Sequence, residues 1–283
     1  MKIVVASGKG GTGKSTFSAN FAWSISRSRD VVLVDCDVEE PNLHLFFPGD
    51  TSESEVTVLN PAFDMERCDL CGKCGDFCRY GAIAVLPKQI LFFKDLCHAC
   101  GGCRIICPNE AISETERVIG KVWDAPVDEH LRLISGVLNE GEPNGIPVIK
   151  AAKEAAEGND LVIYDSSPGT ACPVIETIEG SDYVVLVTES TPFGLHDLRL
   201  AAEVVRKLGI PAGVVINRSD GEDDETEAFC RKAGLPIQMK IPFDREIARL
   251  QSRGDLFSVA MPEWQDEFVN LLDDICTRTG GAQ

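Results

Sequence analysis

The sequence predicts an α/β protein with a mostly parallel sheet, interrupted by a small cysteine-dense domain. Three observations lead there. Short apolar runs alternate with helix-forming stretches along most of the chain, which is the pattern of strands covered on both faces by crossover helices. The first run, Lys2-Ile3-Val4-Val5-Ala6, feeds straight into Ser7-Gly8-Lys9-Gly10-Gly11-Thr12-Gly13-Lys14-Ser15-Thr16, which carries GxxxxGK[ST] between a strand and a helix, the setting of a phosphate cradle. Finally, eight of the twelve cysteines fall between residues 61 and 115, in two runs of like spacing.

At 283 residues the chain can bury one large domain with a small insert. The apolar start is only five residues long and runs directly into the glycine-rich loop, unlike a signal peptide. No stretch approaches the roughly 20 apolar residues of a membrane span, so a cytoplasmic protein is expected. The net charge of −18 argues against a nucleic-acid partner, which calls for clustered Lys and Arg. The helix-like segment from Pro262 to Thr279 carries Glu263, Asp266, Glu267, Asp273 and Asp274, whereas a membrane-surface helix needs a basic polar face. Twelve cysteines in such a chain point to metal or redox chemistry rather than disulfides.

In chain order, Ser15 to Ser26 reads as the first helix and Val31 to Val34 as the second strand, ending in Asp35-Cys36-Asp37. Residues 38–60 read as loop. The domain organisation expected is a first part of the body at 1–60, an insert at 61–115 and the rest of the body at 116–283. Residues 118–147 give no clear pattern apart from the turn Gly141-Glu142-Pro143-Asn144-Gly145. Helix and strand patterns then resume: helix 148–157, strand 161–164, strand 183–187, helix 195–208, strand 212–216, helix 223–232 and strand 237–241, followed by a closing helical region.

Glycines let the loop fold tightly around an anion, with successive amides and the positive end of the next helix facing it. In this motif Lys14 reaches the β and γ phosphates, and Ser15 offers its hydroxyl to Mg2+. The second lysine, Lys9, gives the form KGGTGK, which resembles the deviant Walker A loop of the MinD/ParA/Mrp and nitrogenase iron-protein superfamily of P-loop ATPases. The resemblance implies ATP/ADP binding across the whole loop from Gly8 to Thr16, and an ATP-dependent dimer in which Lys9 touches the partner's nucleotide. It also implies switch residues. Asp35-Cys36-Asp37-Val38-Glu39-Glu40-Pro41-Asn42-Leu43 is similar to the family's first switch, with Asp35 near Mg2+ and Asp37 orienting the attacking water. Asp165 matches the Walker B carboxylate that helps hold Mg2+, and Gly169 matches the glycine whose amide senses the γ phosphate. Asn217 and Arg218 resemble the adenine-reading end of a strand, and Pro242 and Phe243 the other wall of the base pocket.

Within the insert, Cys68-x2-Cys71-x2-Cys74-x3-Cys78 is followed by Cys97-x2-Cys100-x2-Cys103-x3-Cys107-Pro108. This is the bacterial two-cluster ferredoxin spacing, in which each run's fourth cysteine ligates the other run's cluster. Cys68, Cys71, Cys74 and Cys107 are thus expected on one [4Fe-4S] cluster, and Cys97, Cys100, Cys103 and Cys78 on the second. Paired CxxC also suits zinc, but zinc leaves the third cysteine of each run unexplained. Arg79 follows Cys78 where the pattern carries proline; with Lys73 and Arg104 it is expected to favour the more negative reduced clusters. The run Gly169-Thr170-Ala171-Cys172-Pro173-Val174-Ile175 is similar to that of relatives carrying a ferredoxin insert, and Cys172 is expected to be a small buried residue coupling the second switch to the insert. Cys36, Cys230 and Cys276 read as core thiols, and His44, His98, His130 and His196, which form no spaced pair, as structural.

The chain as a whole resembles MinD-superfamily ATPases with an inserted ferredoxin domain. The function expected is an ATPase whose ATP-driven dimer closure, as a homodimer or with a similar ATPase, gates electron transfer through both clusters to a redox partner protein. The alternatives are an Mrp-like ATPase that assembles or carries metal clusters, and a MinD-like spatial regulator with redox sensing.

Overall fold

In the computed structural model, residues 1–280 are described. The strands are β1 (Lys2–Ala6), β2 (Val31–Cys36), β3 (Ser52–Phe63), β4 (Ile83–Leu86), β5 (Gln89–Phe92), β6 (Ile112–Pro126), β7 (Leu131–Leu138), β8 (Val162–Ser166), β9 (Tyr183–Glu189), β10 (Ala212–Ser219) and β11 (Ile237–Pro242). The helices are α1 (Lys14–Ser26), α2 (Lys73–Phe77), α3 (Gly102–Ile106), α4 (Ile146–Ala155), α5 (Cys172–Ile178), α6 (Pro192–Leu208), α7 (Asp224–Ala233), α8 (Arg245–Gln251), α9 (Phe257–Ala260) and α10 (Glu263–Thr279). Nine strands form one sheet in the order β11-β10-β9-β1-β8-β2-β7-β6-β3. From β11 to β7 the neighbours run parallel; β6 and β3 close that edge antiparallel.

Period-two alternation divides each central strand between two cores. Ile3 and Val5 face one side with Leu33 and Ile163, against Phe17 and Phe21 of α1 and Phe268 of α10. Val4 and Ala6 face the other with Val32, Val34 and Leu186, against Val148 and Ile149 of α4 and Leu198 of α6. Because both faces are covered, the strands read as continuous apolar runs, and those runs were legible in the sequence.

The antiparallel edge was not. Residues 38–60, expected as loop, contain the first nine residues of β3, and the unassigned 118–147 holds the end of β6 and all of β7. The physical reason is exposure. Ser52, Glu53, Ser54 and Glu55 are exposed in succession, so no buried face imprints an alternating pattern, and their strand conformation comes from pairing with Asp124 to Lys121 about seventy positions away.

β3 and β6 make a long two-stranded ribbon. Pairs from Ser52–Asp124 to Val56–Gly120 lie where β6 also pairs with β7; pairs from Thr57–Val118 to Phe63–Ile112 project beyond it. A β-bulge at Ile119 marks the exit, since Val56 faces Gly120 while Thr57 faces Val118. Such a bulge bends and twists the ribbon. The cysteine-dense segment hangs from the ribbon's far end and contains α2, α3 and the β4–β5 hairpin. The ribbon crosses the boundaries expected from sequence, with Pro61 opposite Glu114. Among the described residues no helix is long and apolar enough to cross a membrane.

Candidate functional site: a phosphate loop and two cysteine-rimmed cavities

The phosphate loop leaves β1 between β8 and β9, at the C-terminal ends of the parallel strands, where open α/β sheets place ligands. Gly8 is required by packing: a Cβ there would lie 2.2 Å from the carbonyl oxygen of Asp197 in α6. Gly13 has φ +83° and caps α1. The first helical bond runs from the Phe17 amide to the Gly13 carbonyl, so the amides of Lys14, Ser15 and Thr16 have no partner within the helix.

Lys14 is 6% exposed, and its Nζ lies 2.8 Å from Asp165 Oδ2. The other Asp165 oxygen accepts from the Ser18 hydroxyl at 2.6 Å. Ser18 stands one turn after Lys14, a helix spacing visible in the sequence although the sequence reading overlooked it. Asp35 sits directly beside Asp165 across the β2–β8 register and accepts from the amides of Asn42, Leu43 and Asp37 at 2.9, 3.0 and 3.1 Å. Burial, and then the neighbouring Asp165, push the Asp35 carboxyl up to about 7. Burial also raises Asp37 to about 6. Two carboxylates inside the sheet share one nearby cation, Lys14.

An open cavity lies over the loop, lined by residues 9–16 with Asp37, Asn42, Phe46, Pro168 and Arg218, and closed by Gln251 to Gly254 after α8. Phe46 and the α8 turn carried no motif and were missed. A smaller recess beside Gly13 and Thr16 brings together Asn217, Arg218, Pro242 and Phe243, the four residues expected around adenine, with Phe17, Ile247 and Phe257 behind them. Asn217 Nδ2 donates to the Thr12 carbonyl at 2.7 Å, and the Gly169 amide donates to Ser7 O at 2.9 Å. Lys9 Nζ lies 3.3 Å from Glu189 Oε2, a partner with no sequence signal.

In the insert, one cavity is lined by Cys68, Cys71, Cys74 and Cys107, and another by Cys78, Cys97, Cys100 and Cys103. The backbone repeats along with the cysteines. Leu70 and Ala99 have φ +57° and +52°, Gly72 and Gly101 +82° and +70°, Gly81 and Glu110 +65° and +47°, each pair twenty-nine positions apart. Left-handed backbone at three non-glycine residues is strained and tends to persist at functional sites. It turns amides toward sulfur: Ala99 N lies 3.4 Å from Cys97 Sγ, and Ala111 N 3.3 Å from Cys107 Sγ. Burial raises the thiols of Cys74 and Cys97, and that of Cys103 to about 11. Among the described residues no three Cys, His, Asp or Glu side chains converge tightly enough to hold a single ion.

Several expectations need correction. Cys172 is exposed at the start of α5 rather than buried, because the loop from Ser167 to Ala171 stays at the surface. Cys36 and Cys230 are buried, but Cys276 only partly. Arg104 pairs with Glu114 at 2.7 Å, which offsets its charge near the cysteines. His98 stacks on Tyr80 with ring centroids 3.8 Å apart.

A family model described as the CobQ/CobB/MinD/ParA nucleotide binding domain matches residues 3–257. The uncharacterized protein MJ0579 of Methanocaldococcus jannaschii is 33% identical, covering 91% of this chain and 91% of its own. The chlorophyllide reductase 35.5 kDa chain of Rhodobacter capsulatus is 25% identical, covering 97% of this chain and 72% of its own. Among solved structures, the septum site-determining protein MinD of Pyrococcus horikoshii, complexed with Mg-ADP, matches with a TM-score of 0.60 at 20% identity, covering 100% of this chain and 98% of that one.

Proposed function

Because the chain belongs to the CobQ/CobB/MinD/ParA nucleotide-binding family, we propose that it is a Mg2+-dependent ATPase whose ATP-dependent dimerisation gates one-electron transfer through two [4Fe-4S] clusters to a partner protein. The observation that carries the redox half is the pair of cavities, each rimmed by three cysteines of one run and the fourth of the other. A tetrahedral zinc site draws its thiolates to within about 4 Å of one another. A four-iron cluster holds them apart at its corners, and donors spread around a cavity rim, with amides aimed at sulfur, suit it better. The likeness to a reductase subunit along 97% of the chain favours electron transfer over cluster delivery.

In the nucleotide half, the free amides at the start of α1, Lys14 and Lys9 neutralise the phosphates. Mg2+, when bound with the nucleotide, would supply neutralisation of the phosphate charge. Ser15 and Asp165 would hold it. Asp35, whose oxygens accept three backbone amides, fixes the switch loop around that site. On nucleotide entry Lys14 turns from Asp165 to the phosphates. Asp37 orients a water whose oxygen bonds to the γ phosphorus as the bond to the β–γ bridging oxygen breaks, while the loop amides and lysines stabilise the departing charge. Asn217, Arg218, Pro242 and Phe243 enclose the base.

Anaerobic purification tests the proposal. The chain should be brown, hold about eight iron atoms, hydrolyse ATP, and lose hydrolysis but not iron in Lys14→Ala. Colourless, zinc-loaded protein would overturn the redox half.

A further inference from the structure

The two halves of the insert repeat beyond their cysteines. Asp64 N donates to the Ala111 carbonyl and Phe93 N to the Ala82 carbonyl, both at 2.8 Å, and each residue of the second bond is the twenty-nine-position counterpart of one in the first. The tip of the ribbon, where Phe63 faces Ile112, answers to the β4–β5 hairpin, where Phe92 faces Ile83. The cavity walls repeat as well. Val85 and Ile90, opposite one another in the hairpin, line the cavity of Cys68, Cys71, Cys74 and Cys107. Their counterparts Glu114 and Pro61, opposite one another in the ribbon, line that of Cys78, Cys97, Cys100 and Cys103. A carboxylate thus stands in one wall where the other has a valine.

The short helix beside each wall differs to match. On α2, a Cβ at Gly75 would lie 3.4 Å from Val85 Cγ2. At the same place on α3, Arg104 donates to Glu114 Oε2 at 2.7 Å. The pair is polarised, with the Glu114 side chain 17% exposed and that of Arg104 60%. The other carboxylate oxygen stands 3.2 Å from where a Cβ on Gly101 would be, directly after Cys100. The negative end therefore lies at the cavity and the positive end in water, which screens it. Arg79, at the place of Pro108, is exposed and screened likewise.

The cavities also differ in size, about 400 Å³ beside Glu114 and about 20 Å³ beside Val85. Wider access for water favours the more negative reduced form of a cluster, and a half-buried carboxylate opposes it. We propose that Glu114 holds down the potential of the cluster bound by Cys78, Cys97, Cys100 and Cys103, so that the site with the wider opening stays a strong electron donor. The inference rests on the two-cluster reading above. Glu114 acts through its charge alone, and Arg104 takes up part of it.

The test is a redox titration of the full chain after anaerobic reconstitution, poised with dithionite, with electron paramagnetic resonance following the one-electron reduction of each cluster. Glu114→Gln keeps the shape and removes the charge. It should favour reduction of one cluster about tenfold, a rise of about 59 mV in its midpoint, and leave the other midpoint in place. Arg104→Gln should lower that same midpoint. Val85→Glu, which puts a carboxylate in the opposite wall, should lower the midpoint that Glu114→Gln leaves alone. A general loosening of the insert would move both midpoints together, so the reciprocal pattern separates charge from packing. If Glu114→Gln fails to fold, Arg104→Gln and Val85→Glu carry the test, and both must lower different midpoints. Midpoints that stay in place in Glu114→Gln, move equally, or respond on the same cluster to Glu114→Gln and Val85→Glu overturn the proposal and leave the two-cluster reading standing. A chain that takes up no iron overturns both.

Discussion

Lys9 is held by Glu189 of its own chain, 3.3 Å from one carboxylate oxygen, while Arg218 takes the other at 2.6 Å. A lysine that is to reach a partner's nucleotide must first leave this contact. With side chains 31% and 13% exposed, the pair is worth under about 1 kcal/mol. Glu189→Gln should therefore lower the ATP concentration at half-dimerisation about two- to fivefold, and Lys9→Ala should abolish dimerisation while ATP still binds. Light scattering after gel filtration, in an Asp37→Asn background, decides it; a Lys9→Ala chain that dimerises normally removes the role.

Lys14 and Asp165 form a buried pair beside a second buried carboxyl, Asp35. Removing the cation strands a buried charge, so Lys14→Met should destabilise the nucleotide-free chain by about 3 kcal/mol. Lys14→Met with Asp165→Asn should recover much of that loss in urea unfolding. A double variant no more stable than the single would contradict the pairing.

The pH dependence has a definite sign. Asp35 and Asp37 are raised to about 7 and about 6 in the folded chain, so the folded state holds protons that the unfolded state releases. Their contribution to stability is full below their ordinary value of 3.8 and is lost as pH climbs toward 7. Unfolding free energy should fall between pH 5 and pH 8, and Asp35→Asn should flatten the fall. An unchanged slope in the variant would rule out Asp35 as its source.

Asn217 ties the recess of Pro242 and Phe243 to the phosphate loop through the Thr12 carbonyl. Losing that bond, worth about 1 kcal/mol, should weaken ATP binding about fivefold in Asn217→Ala. Gly13→Ala should be far worse, because its Cβ would meet Asn217 Nδ2 at 2.2 Å from a backbone at φ +83°. Calorimetric titration compares the two, and equal affinities would sink the ranking.

The cysteine cavities predict a crossed loss. Cys68→Ser and Cys107→Ser, from different runs, should remove the same cluster, and Cys78→Ser the other, each lowering iron from about eight to about four atoms. Paramagnetic spectra of the reduced variants read this directly; Cys68→Ser and Cys78→Ser sharing one spectrum would show an uncrossed arrangement.

The sequence displayed whatever depends on local pattern. Ile3 to Ala6 and Val31 to Val34 are buried on both faces, Gly8 to Ser15 must leave room for an anion, and the two cysteine runs are spaced by backbone geometry. What it hid depends on distant pairing. β3 and β6 are polar at Ser52 to Glu55 and at Ser113 to Arg117, and they become strands only because each supplies the other's hydrogen bonds. Glu189 stayed invisible for the same reason, since nothing near it in the chain names its partner.

Beyond Gly120 the ribbon runs as two strands unbraced by a third, covering Thr57 to Phe63 over roughly 20 Å. A boom of that length magnifies small rotations: about 10° at its root swings the far end by about 4 Å. The cysteine-bearing segment at its tip thus moves several ångströms for a small change of angle at the Ile119 bulge.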